Sequence, residues 1–300
     1  MRDVVKMTVR MEPTKEQVSI WIENFVPKKD LFFVEEKDLD SLVEYLCEVL
    51  VVPGGEFFKH PSYKQIQLVN SYMYWNISSK AQFVIVAKPD WITNLPEQKK
   101  RDIVNIQYKM NRGLILPLSL FASASSIPQE YIVEENDKKF FVIQRSIWNR
   151  LSYQIKERAI LAYAQQWDDW FGIDFPEQTP IHIKKYANKF PMESGSNCLS
   201  ATLFAITEQD WIIDEWVHPN TFLNGLERAN FSLINDVIKK GDIITWVNQN
   251  GVIKHAAYHI DNNLFFNKNG QTFFNPWKIT DLNKLNEEWY QYKMKVYRKM

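Results

Sequence analysis

The sequence predicts an α+β fold in two parts, and three observations carry this prediction. The first half contains several segments whose apolar residues recur at helical spacing. After Lys240-Gly241-Asp242 the chain changes to short apolar runs separated by Asn- and Gly-rich turns, which is typical of strands. Between these regions lies FGIDFPEQTP, residues 171–180, whose prolines and glycine indicate a linker. We therefore expect an α-rich N-terminal domain at residues 1–175 and a second domain at residues 176–300.

The N-terminal part is predicted to combine helices with a few strands. Its first helix covers residues 14–25, where Val18, Trp21, Ile22 and Phe25 share one face. Further helices are predicted at 38–51, 65–74, 96–110 and 146–171, and strands at 81–88, 114–120, 131–134 and 140–143. Nothing in these segments indicates a function for residues 1–175.

The C-terminal part is predicted to be a helix packed on an antiparallel sheet. The helix starts at Cys198, where a polar loop gives way to an apolar segment. Residues 219–234 are less regular. Strand-like runs then follow in IITWV, VIKHAAYHI, NLFFN and QTFFN, within residues 243–275.

Composition and charge exclude several classes of protein. Lys and Arg total 36, as do Asp and Glu, so the net charge is zero and we expect no nucleic-acid partner. Two cysteines in 300 residues do not make a disulfide framework. The chain has no Gly-rich phosphate loop, and HAAYH at 255–259 lacks the glutamate and the helical context of a metalloprotease motif. We therefore expect neither a cofactor nor a metal.

The sequence contains no segment that we expect to span a membrane. The charged N-terminus MRDVVKMTVR does not resemble a signal peptide. The longest uncharged run, residues 113–129, contains two prolines and several serines and is too short and too polar to cross a bilayer. The expected location is the cytoplasm, with export by a non-standard route left open.

Cys198 is the first candidate for chemistry. A cysteine nucleophile reacts as the thiolate, and a helix N-terminus favours that form through its dipole and its free N–H groups. Ser194, Ser196 and Asn197 directly precede the helix and are suitable N-cap residues. The alternative is that Cys198 is a small buried residue, since free cysteine is often buried.

His255 and Asn267 are the candidates for a base and its partner. Alternation along VIKHAAYHI places Ile253, His255, Ala257 and His259 on one face of a strand. With a three-residue turn before the next strand, His255 and Asn267 share a face and lie roughly 7–8 Å apart at Cα. A two-residue turn would send Asn267 to the opposite face.

These features together resemble the NlpC/P60 cysteine peptidases, a papain-like group. The matching pieces are Cys198 at a helix start, Gly241-Asp242 before a strand, His255 on the next strand and Asn267 on the one after. The resemblance implies a papain-like fold for residues 176–300 and hydrolysis of an amide or peptide bond through a thioester. It also implies that Cys198 attacks, His255 carries the proton and Asn267 orients His255, with Asn269 as the other choice for this third role.

The resemblance also concerns Tyr186 and the residues that flank the thiol. Tyr186 stands where the family often has a tyrosine, and it is expected to support the oxyanion together with the Cys198 N–H. Where the family has Asp before the cysteine and Ser-Gly after it, this chain has Asn197 and Leu199-Ser200. The substrate therefore stays open between a cell-wall-type peptide, a protein side chain and another amide. A non-catalytic interaction protein on the same scaffold, and transglutaminase-like amide transfer, are the alternatives.

Overall fold

The computed structural model describes residues 7–121 and 126–300. Within this structure the chain forms two compact units. The first unit combines Met1–Gln17 with Ala164–Met300, and the second unit is Val18–Tyr163. Both ends of the chain therefore belong to the same unit, and the second unit is inserted between them. The division that the sequence suggested at residue 175 falls within the first unit.

The described residues form helices and short, mainly antiparallel strands. The strands are β1 (Thr8–Arg10), β2 (Asp30–Val34), β3 (Leu50–Pro53), β4 (Phe83–Ala87), β5 (Ile115–Pro117), β6 (Ile132–Glu135), β7 (Lys138–Val142), β8 (Phe171–Ile173), β9 (Phe231–Ile234), β10 (Ile243–Val247), β11 (Ile253–Asp261), β12 (Leu264–Lys268), β13 (Trp277–Asp281) and β14 (Lys293–Lys299). The α-helices are α1 (Lys15–Phe25), α2 (Glu36–Asp40), α3 (Gly54–Phe57), α4 (Ile66–Ser71), α5 (Trp91–Asn94), α6 (Glu97–Lys109), α7 (Arg145–Arg150), α8 (Tyr153–Ala164), α9 (Ile181–Tyr186), α10 (Cys198–Thr207), α11 (Pro219–Arg228) and α12 (Leu282–Glu288). The predicted α+β class is confirmed at this level.

The second unit contains two three-stranded antiparallel sheets, ordered β2-β4-β3 and β5-β7-β6. Strand β2 is buried along its whole length although it lies at the edge of its sheet. The side chain of Gln107 on α6 satisfies the backbone of Phe33: its oxygen accepts from the Phe33 N–H at 2.8 Å, and its amide donates to the Phe33 carbonyl at 3.1 Å. An amide side chain thus replaces the missing neighbouring strand.

The predicted helix at 38–51 is wrong. The chain instead forms α2, a 3-10 segment at Val43–Glu48, and β3. The apolar residues have helical spacing, but β3 pairs with β4 from Leu50↔Val86 to Pro53↔Phe83. Strand pairing with a distant segment therefore overrides the local helical pattern.

The long helix predicted at 146–171 is divided. Helix α7 ends before Leu151, whose backbone is extended, and Ser152 accepts a hydrogen bond from the Ile155 N–H as α8 begins. The chain leaves helix after Ala164, and Phe171–Ile173 forms β8, which pairs with β1. Part of the segment expected to be a linker is therefore a strand of the first unit.

The first unit is built on a six-stranded antiparallel sheet, ordered β13-β12-β11-β10-β14-β9. One face, here called the α10 face, packs against α10 through residues such as Ala256, Ile260 and Phe266. The opposite face, here called the α12 face, packs against Leu285 of α12 through residues such as Ala257 and Phe265. The predicted helix on an antiparallel sheet is thus present, and the sheet is covered on both faces.

Two irregularities in β11 set which side chains face α10. Between Trp246 and Val247 of β10 the register shifts, so that Trp246 pairs with His255 and Val247 with Ile253. A second shift lies between His259 and Asp261. The expectation that Ile253 shares a face with His255 is therefore wrong, because the first shift places Ile253 on the α10 face.

The last predicted strands also need adjustment. QTFFN does not form a strand, and β13 begins only at Trp277. The irregular segment 219–234 contains both α11 and the edge strand β9. Among the helices of residues 7–121 and 126–300, none is both long and apolar enough to cross a membrane.

Candidate functional site

Helix α10 begins at Cys198 because Asn197 caps it. The side-chain oxygen of Asn197 accepts hydrogen bonds from the N–H groups of Leu199 and Ser200, at 3.1 Å and 3.0 Å. The Ser200 hydroxyl accepts from the Asn197 N–H at 2.9 Å, which completes a capping box. The predicted helix start at Cys198 is confirmed, and the amide of Asn197 also donates to the Val217 carbonyl at 2.8 Å.

The Cys198 thiol lies at the open end of the ladder between β11 and β12. That ladder is paired as far as Tyr258↔Phe266, and Ala256 lies just beyond this pair. The backbone N–H of Ala256 interacts with the thiol. Cys198 itself is half-buried. Burial raises the pKa of the thiol to about 11, although the Ala256 N–H and the Lys268 ammonium act in the opposite direction. The resting thiol is therefore protonated at neutral pH.

His255 lies on the α12 face and is almost completely buried, with 1% of the residue exposed. Its ring packs between two indoles, with centroids 5.5 Å from Trp246 and 4.4 Å from Trp289. Burial lowers the pKa of the imidazole to about 3, and the positive charge of Lys278 adds to this effect. The imidazole is therefore neutral across the physiological pH range.

The structure does not bring Cys198 and His255 together. The residue of β11 that approaches the thiol is Ala256, and successive residues of a strand point to opposite faces. The register shift between β10 and β11 follows the pair Trp246↔His255, so it does not change the face on which His255 lies. His255 stays paired with Trp246, which belongs to the cluster on the α12 face. The proton transfer expected between Cys198 and His255 therefore has no direct route in this arrangement.

Asn267 shares the α12 face with His255, as the predicted register requires. The pairs Tyr258↔Phe266 and His259↔Phe265 are those of the predicted register. The connection is nevertheless two left-handed residues, Asn262 and Asn263, and the second shift in β11 compensates for the missing turn residue.

Asn267 does not orient His255 through a hydrogen bond. Asn267 is fully buried, and neither polar atom of its side chain has a hydrogen-bond partner among the residues that the structure describes. His255 Nε2 is in the same situation. The alternative third residue, Asn269, donates to a carboxylate oxygen of Glu288 at 3.1 Å.

Tyr186, the last residue of α9, lies beside the middle of α10 rather than at its start. Its ring meets Phe204 edge-on, with centroids 5.1 Å apart, and Trp277 at 5.4 Å. Its hydroxyl interacts with Lys185 of α9 and with Asp210, which lies three residues beyond the end of α10 in the chain. The structure therefore does not bring the Tyr186 hydroxyl to Cys198.

Lys268 is the group near Cys198 that sequence reasoning missed. It is fully buried at the end of β12 and pairs with Trp277 of β13, which belongs to the cluster under α10. Its charge acts on the Cys198 thiol, and a Cys198 thiolate would act on its ammonium in return. The available signal was the alternation Leu264, Phe266, Lys268, which puts a lysine at a buried position.

A groove of about 690 Å³ lies beside the loop that leads to Cys198. Its walls include the aromatic side chains of Tyr186 and Trp277, and Glu193 and Ser194 of the loop itself. Asp214 also borders the groove, where burial raises the pKa of its carboxyl and the nearby Glu193 charge adds to the increase. The groove combines aromatic surface with carboxylates.

Gly241-Asp242, which belongs to the resemblance, has a structural role. Gly241 adopts φ +87°, a conformation that favours glycine, and its N–H donates to the His259 carbonyl at 2.9 Å. The Asp242 carboxylate is bound by Arg298 of β14 in a two-point contact, at 2.9 Å and 2.8 Å. The pair therefore anchors the start of β10 to both neighbouring strands.

The comparisons with known proteins are negative in all three respects. No protein-family model, no curated protein and no solved structure matches the chain. In the described part of the chain, no three His, Cys, Asp or Glu side chains are grouped so that they could hold a metal ion.

Proposed function

We propose that this chain is a cysteine hydrolase that cleaves an amide or peptide bond through a thioester at Cys198, on an NlpC/P60-like, papain-like scaffold. The main support is the position of Cys198 as the first residue of a capped helix that packs on an antiparallel sheet. At this position the helix dipole stabilises negative charge on the sulfur and on a substrate oxygen.

The backbone around the thiol supports the acyl-transfer step. Asn197 occupies the N–H groups of Leu199 and Ser200, which leaves the Cys198 N–H outside the cap. Together with the N–H of Ala256, it is a donor for the oxyanion that forms when the thiolate attacks a carbonyl. Tyr186 does not have the expected oxyanion role. Its side chain instead forms part of the wall of the groove, in which we expect the acyl or peptide chain of the substrate to lie.

The test is acylation of Cys198 by p-nitrophenyl acetate, because the natural substrate is not known. The expected result is a burst of p-nitrophenolate and an acetyl group mapped to Cys198 by mass spectrometry. The control Cys47→Ser removes the exposed thiol that the ester can also acetylate, and it should retain both signals. Cys198→Ala in this Cys47→Ser background should abolish both. A burst that persists in Cys198→Ala would overturn the proposal. Added primary amine separates hydrolysis from amide transfer, since transfer would yield the N-acetyl amine.

The second candidate function is a non-catalytic interaction protein on the same scaffold. Two observations favour it: His255 is buried on the α12 face, and burial raises the pKa of the Cys198 thiol. It predicts that p-nitrophenyl acetate leaves Cys198 unmodified. The mapped acetyl group therefore decides between the two functions.

A further inference from the structure

Lys268 lies on the α10 face of the sheet, the face towards Cys198, whereas His255 lies on the α12 face. Its partner across the ladder, Trp277, packs with Phe204 of α10, so the Lys268 side chain emerges on the α10 face. The residue has no exposed surface. A lysine is rarely buried to this degree without a paired carboxylate, so the site requires a chemical explanation.

The hydrogen bonds of Lys268 suit a neutral amine. Its Nζ donates to the Gly270 carbonyl at 3.1 Å and to the Thr272 carbonyl at 2.9 Å. Asp168 attracts its charge, but that carboxylate is bound by Lys278 at 2.7 Å. A neutral amine has two N–H donors and one lone pair, so two carbonyl partners leave the lone pair free to accept a proton.

Burial also places Lys268 in the correct protonation state. The loss of solvation lowers the pKa of its ammonium to about 7, and the negative charge of Asp168 acts against this change. A substantial fraction of the molecules therefore carries the neutral amine near neutral pH. A general base is most effective when its pKa lies close to the working pH.

We propose that Lys268 is the general base for Cys198, in place of the histidine that the NlpC/P60 resemblance implies; this inference rests on the proposed function. The geometry that supports it is the location of both residues on the α10 face at the open end of the β11–β12 ladder. Lysine acting as the base of a nucleophile is known chemistry in serine–lysine enzymes.

The proposed steps balance in atoms and charge. The Cys198 S–H proton passes to the Lys268 Nζ while the sulfur electron pair attacks the substrate carbonyl carbon. The tetrahedral intermediate collapses, the C–N bond breaks, and the leaving amine takes the proton from the Lys268 ammonium. Water then attacks the thioester and gives one proton to Lys268, which returns it to the Cys198 sulfur as the acid leaves.

The decisive experiment measures the rate of Cys198 acetylation by p-nitrophenyl acetate against pH. In the wild type the rate should rise with an apparent pKa near 7, because Lys268 must lose its proton. Lys268→Met should lower the rate at pH 7.5 by about 100-fold or more and remove this step from the profile. Lys268→Arg should behave in the same way, because arginine stays protonated.

The controls separate a catalytic role from a structural one. Lys254→Met changes an exposed lysine of β11 and should retain the wild-type rate and profile. His255→Gln should also retain the step near pH 7. Circular dichroism and thermal midpoints show whether each variant is folded, and Lys268→Gln, which is uncharged but can still donate to the Gly270 and Thr272 carbonyls, covers the case in which Lys268→Met does not fold.

The outcomes distinguish this inference from the function on which it rests. If Cys198→Ala is inactive but folded Lys268→Met keeps the wild-type rate and profile, Lys268 is not the base and the hydrolase proposal stands. If acetylation does not depend on Cys198 at all, the proposed function fails as well. If His255→Gln removes the step near pH 7 and Lys268→Met does not, the base is His255 in a different arrangement.

Discussion

The imidazole of His255 stacks on the indole of Trp289, with ring centroids 4.4 Å apart and ring planes 9° apart. Trp289 directly follows α12, and both rings lie on the side of the sheet away from α10. The histidine that most resembles a catalytic base is therefore a neutral aromatic component of the α12 face. We therefore expect a change at His255 to affect the stability of the protein before it affects catalysis.

The first prediction is that His255 makes the protein sensitive to acid. Its pKa is about 3 when folded and 6.5 when unfolded, so between these values the unfolded chain binds the extra proton. The stability that depends on neutral His255 is therefore present above pH 6.5 and is lost as the pH falls towards 3. Between pH 7 and pH 4 we expect this group to remove on the order of 3 kcal/mol from the free energy of unfolding.

Urea unfolding of the wild type and of His255→Gln at pH 7, 6, 5 and 4 measures this effect. Other groups titrate in both proteins, so the difference between the two slopes isolates His255. The control is Lys254→Met, which changes an exposed neighbour of His255 and should follow the wild-type slope. Parallel slopes for the wild type and His255→Gln would show that the imidazole is not buried in its neutral form.

The sequence predicted those features that depend on local pattern. The capped start of α10 follows from Asn197 and the apolar run after Cys198, and both are confirmed. His255 and Asn267 share a face as predicted, although the connection has two residues instead of three and the second shift in β11 restores the predicted register. These features need only the near neighbours of each residue along the chain or across one hairpin.

What the sequence could not predict is which face of the sheet each group occupies relative to α10. That choice depends on the packing of α10 on Ala256 and on the register shift beside Trp246, both of which involve distant segments. A single-residue change in register exchanges the two faces. His255 therefore lies on the α12 face, away from Cys198, whereas Lys268, which sequence reasoning missed, lies on the α10 face.

The second prediction concerns the cap that holds Cys198. Asn197→Ala removes the oxygen that accepts from Leu199 and Ser200, and it should lower the free energy of unfolding by about 1 kcal/mol. It should also slow acetylation of Cys198, since the first turn would fray. The matched control is Asp281→Ala, which removes the N-cap of α12. The Asp281 carboxylate accepts a hydrogen bond from the Lys284 N–H at 3.0 Å.

The two cap variants are compared by urea unfolding and by the acetylation rate at pH 7.5. Both should be destabilised by similar amounts, but only Asn197→Ala should affect Cys198. Equal effects of the two variants on the acetylation rate would show that the capped turn has no specific influence on the thiol.

The third prediction concerns the buried ion pair between Lys278 and Asp168. Their side chains are 1% and 3% exposed, and the Lys278 Nζ lies 2.7 Å from an Asp168 oxygen. Lys278→Met leaves a buried carboxylate without its partner and should cost about 3–5 kcal/mol. The double variant Lys278→Met/Asp168→Leu removes both charges and should recover most of this loss.

Chemical denaturation of the two single variants and the double variant gives the coupling free energy. The exposed pair Lys185–Asp210 provides the comparison, because its side chains are 56% and 52% exposed. Lys185→Met should change the free energy of unfolding little, because solvent screens this exposed pair. Strictly additive losses at Lys278 and Asp168 would contradict a buried, directly coupled pair.

The fourth prediction is that Cys198 is the slower of the two thiols towards iodoacetamide. Burial raises the pKa of the Cys198 thiol to about 11, and each unit between pH and pKa lowers the thiolate population about tenfold. At pH 7.5 we therefore expect Cys198 to react at least about tenfold more slowly than the exposed Cys47.

Mass spectrometry of timed digests gives both alkylation rates in one sample, and unfolding in urea should make the two rates similar. Equally fast alkylation of both cysteines in the folded protein would contradict a resting Cys198 thiol whose pKa is raised by burial.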